Sequence, residues 1–114
     1  MKHQRTYVEH ILECIRRIAE DSAPGRDAVF ASHTLQDAIL RNLQVLCEST
    51  QRIEAPHRER HPEIDWASIA GMRNVPVHDY FGVDFETVWL VAARDLPTLE
   101  KTMRAILTTL DQPR

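Results

Sequence analysis

The sequence predicts an all-α fold, a four- to five-helix up-and-down bundle in a single domain spanning residues 1–114. Three observations carry that expectation. Apolar residues recur at helical spacing over long segments. The composition is rich in Leu, Ile, Ala, Arg and Glu, with only three Gly, which suits helices rather than a sandwich or barrel. Pro and Gly cluster between the periodic segments. With 114 residues and 43% hydrophobic content the chain can bury one core, yet leaves apolar surface for a partner to cover.

From Arg5 to Glu20, the residues Tyr7, Ile11, Ile15 and Ile18 form one helical face, with Arg16 and Arg17 on the polar side. The segment DSAPGRD, residues 21 to 27, breaks that pattern at Pro24 and Gly25. A second helix is firm from Thr34 to Ile53, with Thr34 and Asp37 placed like a capping box. Its apolar stripe of Leu35, Ile39, Leu46 and Ile53 is widened by Ala38, Leu43 and Val45. Such a wide apolar face suits packing on two sides, one of which a second copy of the chain could fill. EAPHRERHP, residues 54 to 62, reads as a charged loop. Pro62 fits the first position of a third helix, with Glu63 and Asp65 in its first turn and Ile64, Trp66, Ile69 and Met72 as apolar contacts. Pro76 lacks a backbone donor and pushes Val75 out of the helical region, so a kink or break is expected between Asn74 and Pro76. Gly82 and Asp84 read as a stop and a fresh N-cap. Phe85, Val88, Trp89 and Ala92 start the next helix. Pro97 is expected to interrupt or restart it, and Leu96, Leu99, Met103, Ile106, Leu107 and Leu110 continue the period.

Arginine outnumbers lysine 12 to 2, but 17 acids leave a net charge of −3. Proteins that hold nucleic acid by bulk electrostatics are usually basic. Any RNA contact here is therefore local, made by the planar fork of a few arginines. Cys14 and Cys47 lie in helical patterns without CxxC spacing and read as free, buried thiols in a reducing cytoplasm. No apolar run approaches the roughly 18 residues of a membrane span, and MKHQRTYVEH has no secretory h-region. The expected location is cytoplasmic, with no membrane contact.

The stretch RNVPVHDY, residues 73 to 80, carries the chemistry. Residues five apart on an unbroken helix point about 140° apart. A kink at Pro76 can bring Arg73 and His78 round to one pocket. Arg73 offers a permanent bidentate cation for a phosphate oxygen. His78 can move a proton near neutral pH. RNA carries its own nucleophile, the 2′-hydroxyl, so one cation and one acid or base can cleave it without metal. Taken singly, each residue has a plainer reading: a surface arginine, a structural histidine, a tyrosine that packs its ring. The order R-x4-H-x-Y is rarer, at roughly 0.01 occurrences in a shuffled chain of this composition.

With these residues the chain resembles the HepT-like toxins of the HEPN superfamily. Arg73, His78 and Tyr80 match the R-x4-H-x-Y motif, and Asn74 is the polar residue after the Arg. TLQDAILRNLQVLCEST is similar to the family's long second helix, with Cys47-Glu48-Ser49 where relatives commonly carry G-E-A. IDWASIAGMRN and DYFGVDFETVWLVAARDLPTLE resemble the segments flanking the motif. The resemblance implies a metal-independent endoribonuclease toxin, homodimeric, with two motifs facing across the dimer cleft. Arg73 would bind the scissile phosphate, His78 would be the general acid or base, and Asn74 would help orient them. It implies as partner the MNT nucleotidyltransferase antitoxin, which would AMPylate Tyr80 and so block the cleft with bulky anions. No cofactor is implied.

The alternative is a non-catalytic HEPN module that binds nucleotide or RNA, or acts as a scaffold, beside a nucleotidyltransferase. A third reading is a helical adaptor without nucleotide chemistry. His57 and His61, with Glu54, Glu59 and Glu63, read as a solvated loop rather than a metal site. Arg52, Arg58 and Arg60 read as a solvated cluster, with phosphate contacts the lesser reading. Trp66 and Trp89 fall on apolar stripes as core or interface anchors, and base stacking is the minority reading.

Overall fold

A computed structural model describes residues 2–72 and 85–112, and among these it is all-helical. Six helices follow in order: α1 (Lys2–Ser22), α2 (Arg26–Phe30), α3 (His33–Thr50), α4 (Ala55–Glu59), α5 (Trp66–Met72) and α6 (Phe85–Asp111). Three are long and build the bundle, and three are short pieces that join and cap it.

Helix α1 lies between α3 and α6 and runs antiparallel to both. Its first turn meets the far ends of the other two, where Arg5 pairs with Asp111 and Gln4 bonds the turn after α3. The expected stripe points inward: Ile11, Ile15 and Ile18 are buried, with Val8 and Cys14 beside them. Ile39, Leu43 and Leu46 of α3 and Leu96, Leu99, Met103 and Ile106 of α6 complete the core. Burying each such side chain stabilises the fold by about 1.5–3 kcal/mol. Both cysteines are buried free thiols. Burial pushes Cys47 up to about 12 and Cys14 upward as well.

Gln4 is a buried amide with both ends satisfied. Its Nε2 donates to the Arg52 carbonyl at 2.8 Å, and its Oε1 accepts from the Glu54 backbone at 2.9 Å. It therefore fixes the chain where it leaves α3. An unpaired buried polar group there would cost about 1–3 kcal/mol.

Several boundaries differ from expectation. The break at Pro24–Gly25 holds, and Gly25 adopts φ 102°, a left-handed value that favours glycine. The expected irregular stretch then yields α2, whose Val29 is fully buried. Ser32, not Thr34, caps α3: its Oγ accepts from the Leu35 backbone at 3.1 Å. Gln36 reaches back to the carbonyls of Val29 and Phe30 and closes the end of α2. The charged stretch 54–62 contains α4 and so is not all loop. Pro62 does not take the first position of the helix expected there, because α5 starts four residues later behind Asp65. Pro97 neither interrupts nor restarts α6, which runs through it for 27 residues, about 40 Å. The proline removes one donor, and the Leu96 and Leu99 contacts on either side hold the helix together.

Candidate functional site

The segment 73–84 lies outside the described residues. Arg73, Asn74, His78 and Tyr80 all fall in it, as do the expected kink at Pro76 and the stop and cap at Gly82 and Asp84. The side chain of Met72 lies outside them too. What the structure does give is how the two ends of that segment are held.

The entering end is α5. Asp65 caps it: Oδ1 accepts from the Ser68 backbone at 3.0 Å, and Oδ2 accepts from Ser68 Oγ at 2.7 Å. These bonds, the hydroxyl's first, hold the Asp65 carboxyl below its ordinary value. Trp66 donates its indole N–H to the His61 carbonyl at 3.1 Å. One oxygen of Glu63 takes the Thr102 hydroxyl of α6 at 2.9 Å and lies 2.9 Å from His61 Nδ1. Its carboxyl is held low by its own backbone N–H, then by Thr102 and His61. Ile64 is buried under this polar layer, and Ile69 packs on the core. Glu63, three residues before α5, thus ties the approach to that helix to Thr102 of α6.

The leaving end is the first turn of α6. Phe85 and Trp89 both meet Phe30 of α2 edge-on, with centroids 5.2 and 6.0 Å apart. The Arg26 guanidinium lies 4.2 Å over the Phe30 ring and forms an ion pair with Glu86.

Two grooves flank these anchors. One, of about 310 Å³, lies between α5 and α6, with Ile64 and Ile69 in its floor and Asp65, Ser68, Arg94 and Asp95 on its rim. The other, of about 230 Å³, runs between α1 and α6 and is apolar, lined by Ile15, Ile18, Trp89, Ala92, Leu96 and Pro97. Leu90 stands next to it at 55% exposure.

Most charge on the described surface is already paired. Arg16 and Arg17 bond Glu13 and Glu20 along α1, and the arginine contacts, Arg16 first, lower the Glu13 carboxyl to about 2. Arg94 pairs with Asp95 and Arg104 with Glu100. Around α4, Arg52 and Arg60 are exposed, while Arg58 is half-buried with its Nε buried and unbonded. Burial, then the charge of Arg60, pushes His57 below the ordinary imidazole value, which keeps it neutral near pH 7. These groups sit beside the end of α3, away from the first turn of α6. Among the described residues no group of three or more His, Cys, Asp and Glu stands close enough to hold a metal ion, and no helix is long and apolar enough to cross a membrane. Trp66 and Trp89 are half-buried anchors, as the apolar stripes implied.

The comparison with known families decides the assignment. Residues 9–106 match the family model described as Ribonuclease HepT-like. The chain belongs to the HepT-like ribonuclease family. A protein of Caldanaerobacter subterraneus subsp. tengcongensis named "Putative RNase" is 34% identical over 108 residues, covering 94% of this chain and 96% of that one. A Thermococcus cleftensis protein named "Probable ribonuclease HepT" is 32% identical, covering 87% of this chain and 91% of that one. A Methanocaldococcus jannaschii protein, named as both a gamma-glutamylcyclotransferase and a "putative RNase", is 34% identical, and this chain matches 50% of its length. No solved structure matches the chain. The HepT-like assignment spans α1 to α6 and includes RNVPVHDY.

The α2 residues escaped the sequence reading as part of any site. Their signal was faint: an apolar pair, Val29 and Phe30, one turn after the glycine that precedes α2.

Proposed function

We propose that this chain is a HepT-type toxin, a metal-independent endoribonuclease that cleaves RNA through Arg73 and His78. The observation that carries the reading is R-x4-H-x-Y at residues 73–80, inside a chain matched to the HepT-like ribonucleases over residues 9–106. Arg73 binds the scissile phosphate and stabilises the charge that grows on it as the 2′-hydroxyl attacks. His78 transfers the proton as general acid or base. Asn74 helps orient the pair. The working unit is a homodimer with facing motifs. The exposed Leu90 beside the apolar α1–α6 groove supports an apolar partner surface of this kind. An MNT nucleotidyltransferase antitoxin silences the enzyme by transferring AMP from ATP onto the Tyr80 hydroxyl, releasing pyrophosphate, two residues from His78, where added phosphate repels RNA.

The net charge of −3 favours one second reading, a HEPN module that binds nucleotide or RNA without cutting it. Cleavage of tRNA and total RNA by the purified chain, with chelator present and Tyr80 shown by mass to carry no adduct, separates the two. The enzyme reading expects cleavage that disappears in His78→Ala. Binding without cleavage by the unmodified wild type sinks it in favour of the binding module.

A further inference from the structure

We infer that α6 is two segments hinged at Pro97, and that the short helix α2 is the clasp that holds the first of them, residues 85–96, down on the bundle. Pro97 has no backbone N–H, so the bond that would tie it to the Ala93 carbonyl is missing from the helix ladder. Prolines are where long helices bend. The burial of α6 changes at the same place. Before the proline, Val88, Ala92 and Leu96 each keep 6–8% exposure. After it, Leu99, Thr102, Met103 and Ile106 keep 0–2%. The apolar groove of about 230 Å³ opens between α1 and the first segment, with Trp89, Ala92, Leu96 and Pro97 on one wall and Ile15 and Ile18 on the other.

The two segments are fixed by different neighbours. In the second, Thr102 donates to Glu63 at 2.9 Å and Asp111 pairs with Arg5. The first is held at its far end by α2. Phe30 meets Phe85 and Trp89 edge-on, and Arg26 lies over the Phe30 ring while it bonds Glu86. Helix α2 is itself anchored by the fully buried Val29 and by Gln36, which bonds the carbonyls of Val29 and Phe30. The clasp thus grips the first segment about 18 Å from the hinge. When it lets go, residues 85–96 swing about Pro97 and the groove widens, while α1, α3 and the second segment keep their contacts. Such a partial opening costs less than unfolding the whole bundle.

The test is amide hydrogen exchange on the full chain, read at residues 89–96 and 99–106 in rising, sub-denaturing urea. In the wild type, 89–96 should exchange more than about tenfold faster than 99–106, with a weaker urea dependence because less surface is exposed. Thr102→Val should speed 99–106 about fivefold and leave 89–96 within about twofold, because the Glu63 bond survives the hinge opening. Phe30→Ala should speed 89–96 by more than about tenfold. Pro97→Ala restores the missing N–H and should slow 89–96 toward the rate of 99–106. Should Phe30→Ala not fold, Arg26→Ala takes its place, with a rise of about threefold expected at 89–96. The inference is overturned by equal rates and equal urea dependence in the two stretches, or by Thr102→Val speeding both alike. It is equally overturned if the clasp variant leaves 89–96 unchanged, or if Pro97→Ala leaves the gap between the stretches as it was.

Discussion

Helix α5 and the first turn of α6 bracket the same twelve residues but are fixed by different chemistry. At α5 the holding groups are polar: Asp65 on Ser68, Trp66 on the His61 carbonyl, and Glu63 taking the Thr102 hydroxyl. At α6 they are rings, Phe30 against Phe85 and Trp89, with the Arg26–Glu86 pair laid over them. Hydrogen bonds set direction closely and depend on protonation. Ring contacts tolerate small shifts and do not titrate. Each end also carries its own reporter, Trp66 at the entrance and Trp89 at the exit.

The sharpest way to break the contrast is Phe30→Ala. It removes both edge-on contacts and the surface under Arg26, and should cost about 2–3 kcal/mol in urea unfolding, near the low end for a lost aromatic because Phe30 is half-buried. A loss below about 1 kcal/mol would show that the rings do not hold α6. Thr102→Val comes next. It keeps the shape of a buried residue but leaves Glu63 without its α6 donor, and about 1 kcal/mol is expected by the same measurement. Acid should then separate the two ends. Glu63 and Asp65 both have carboxyls held low by the fold, so their contribution is fully present above the ordinary carboxylate range and is lost as pH falls below about 4. In single-tryptophan variants, Trp66 emission should change at higher pH than Trp89 emission; coincident transitions would make the two ends one unit. The smallest effect belongs to Arg104→Ala, which breaks only an exposed pair with Glu100 and should leave the urea midpoint unchanged.

The long helices were legible because their faces repeat every three or four residues. Ile11, Ile15 and Ile18 had to share a side, and they share the core. Choices between near-equal local signals were not legible. Ser32 and Thr34 are both good caps, and only the reach of Ser32 Oγ to the Leu35 backbone separates them. Pro62 satisfies the chemistry of a first helical position, but the Asp65–Ser68 bonds start α5 later. Pro97 looks like a break until Leu96 and Leu99 are seen buried on both sides of it. At the candidate site, RNVPVHDY stood out because its meaning lies in residue types and spacing. Arg26 did not, because its partner is sixty residues away and no local pattern records such a pairing.

The two buried thiols give the molecule a clock. Only a thiolate reacts with an alkylating reagent, and burial raises both cysteines further above neutral. Cys14 sits on α1 and Cys47 on α3, each facing the core. A reagent added to the folded chain therefore waits for those helices to part. At saturating reagent, the rate at which mass is gained is the rate at which the bundle opens.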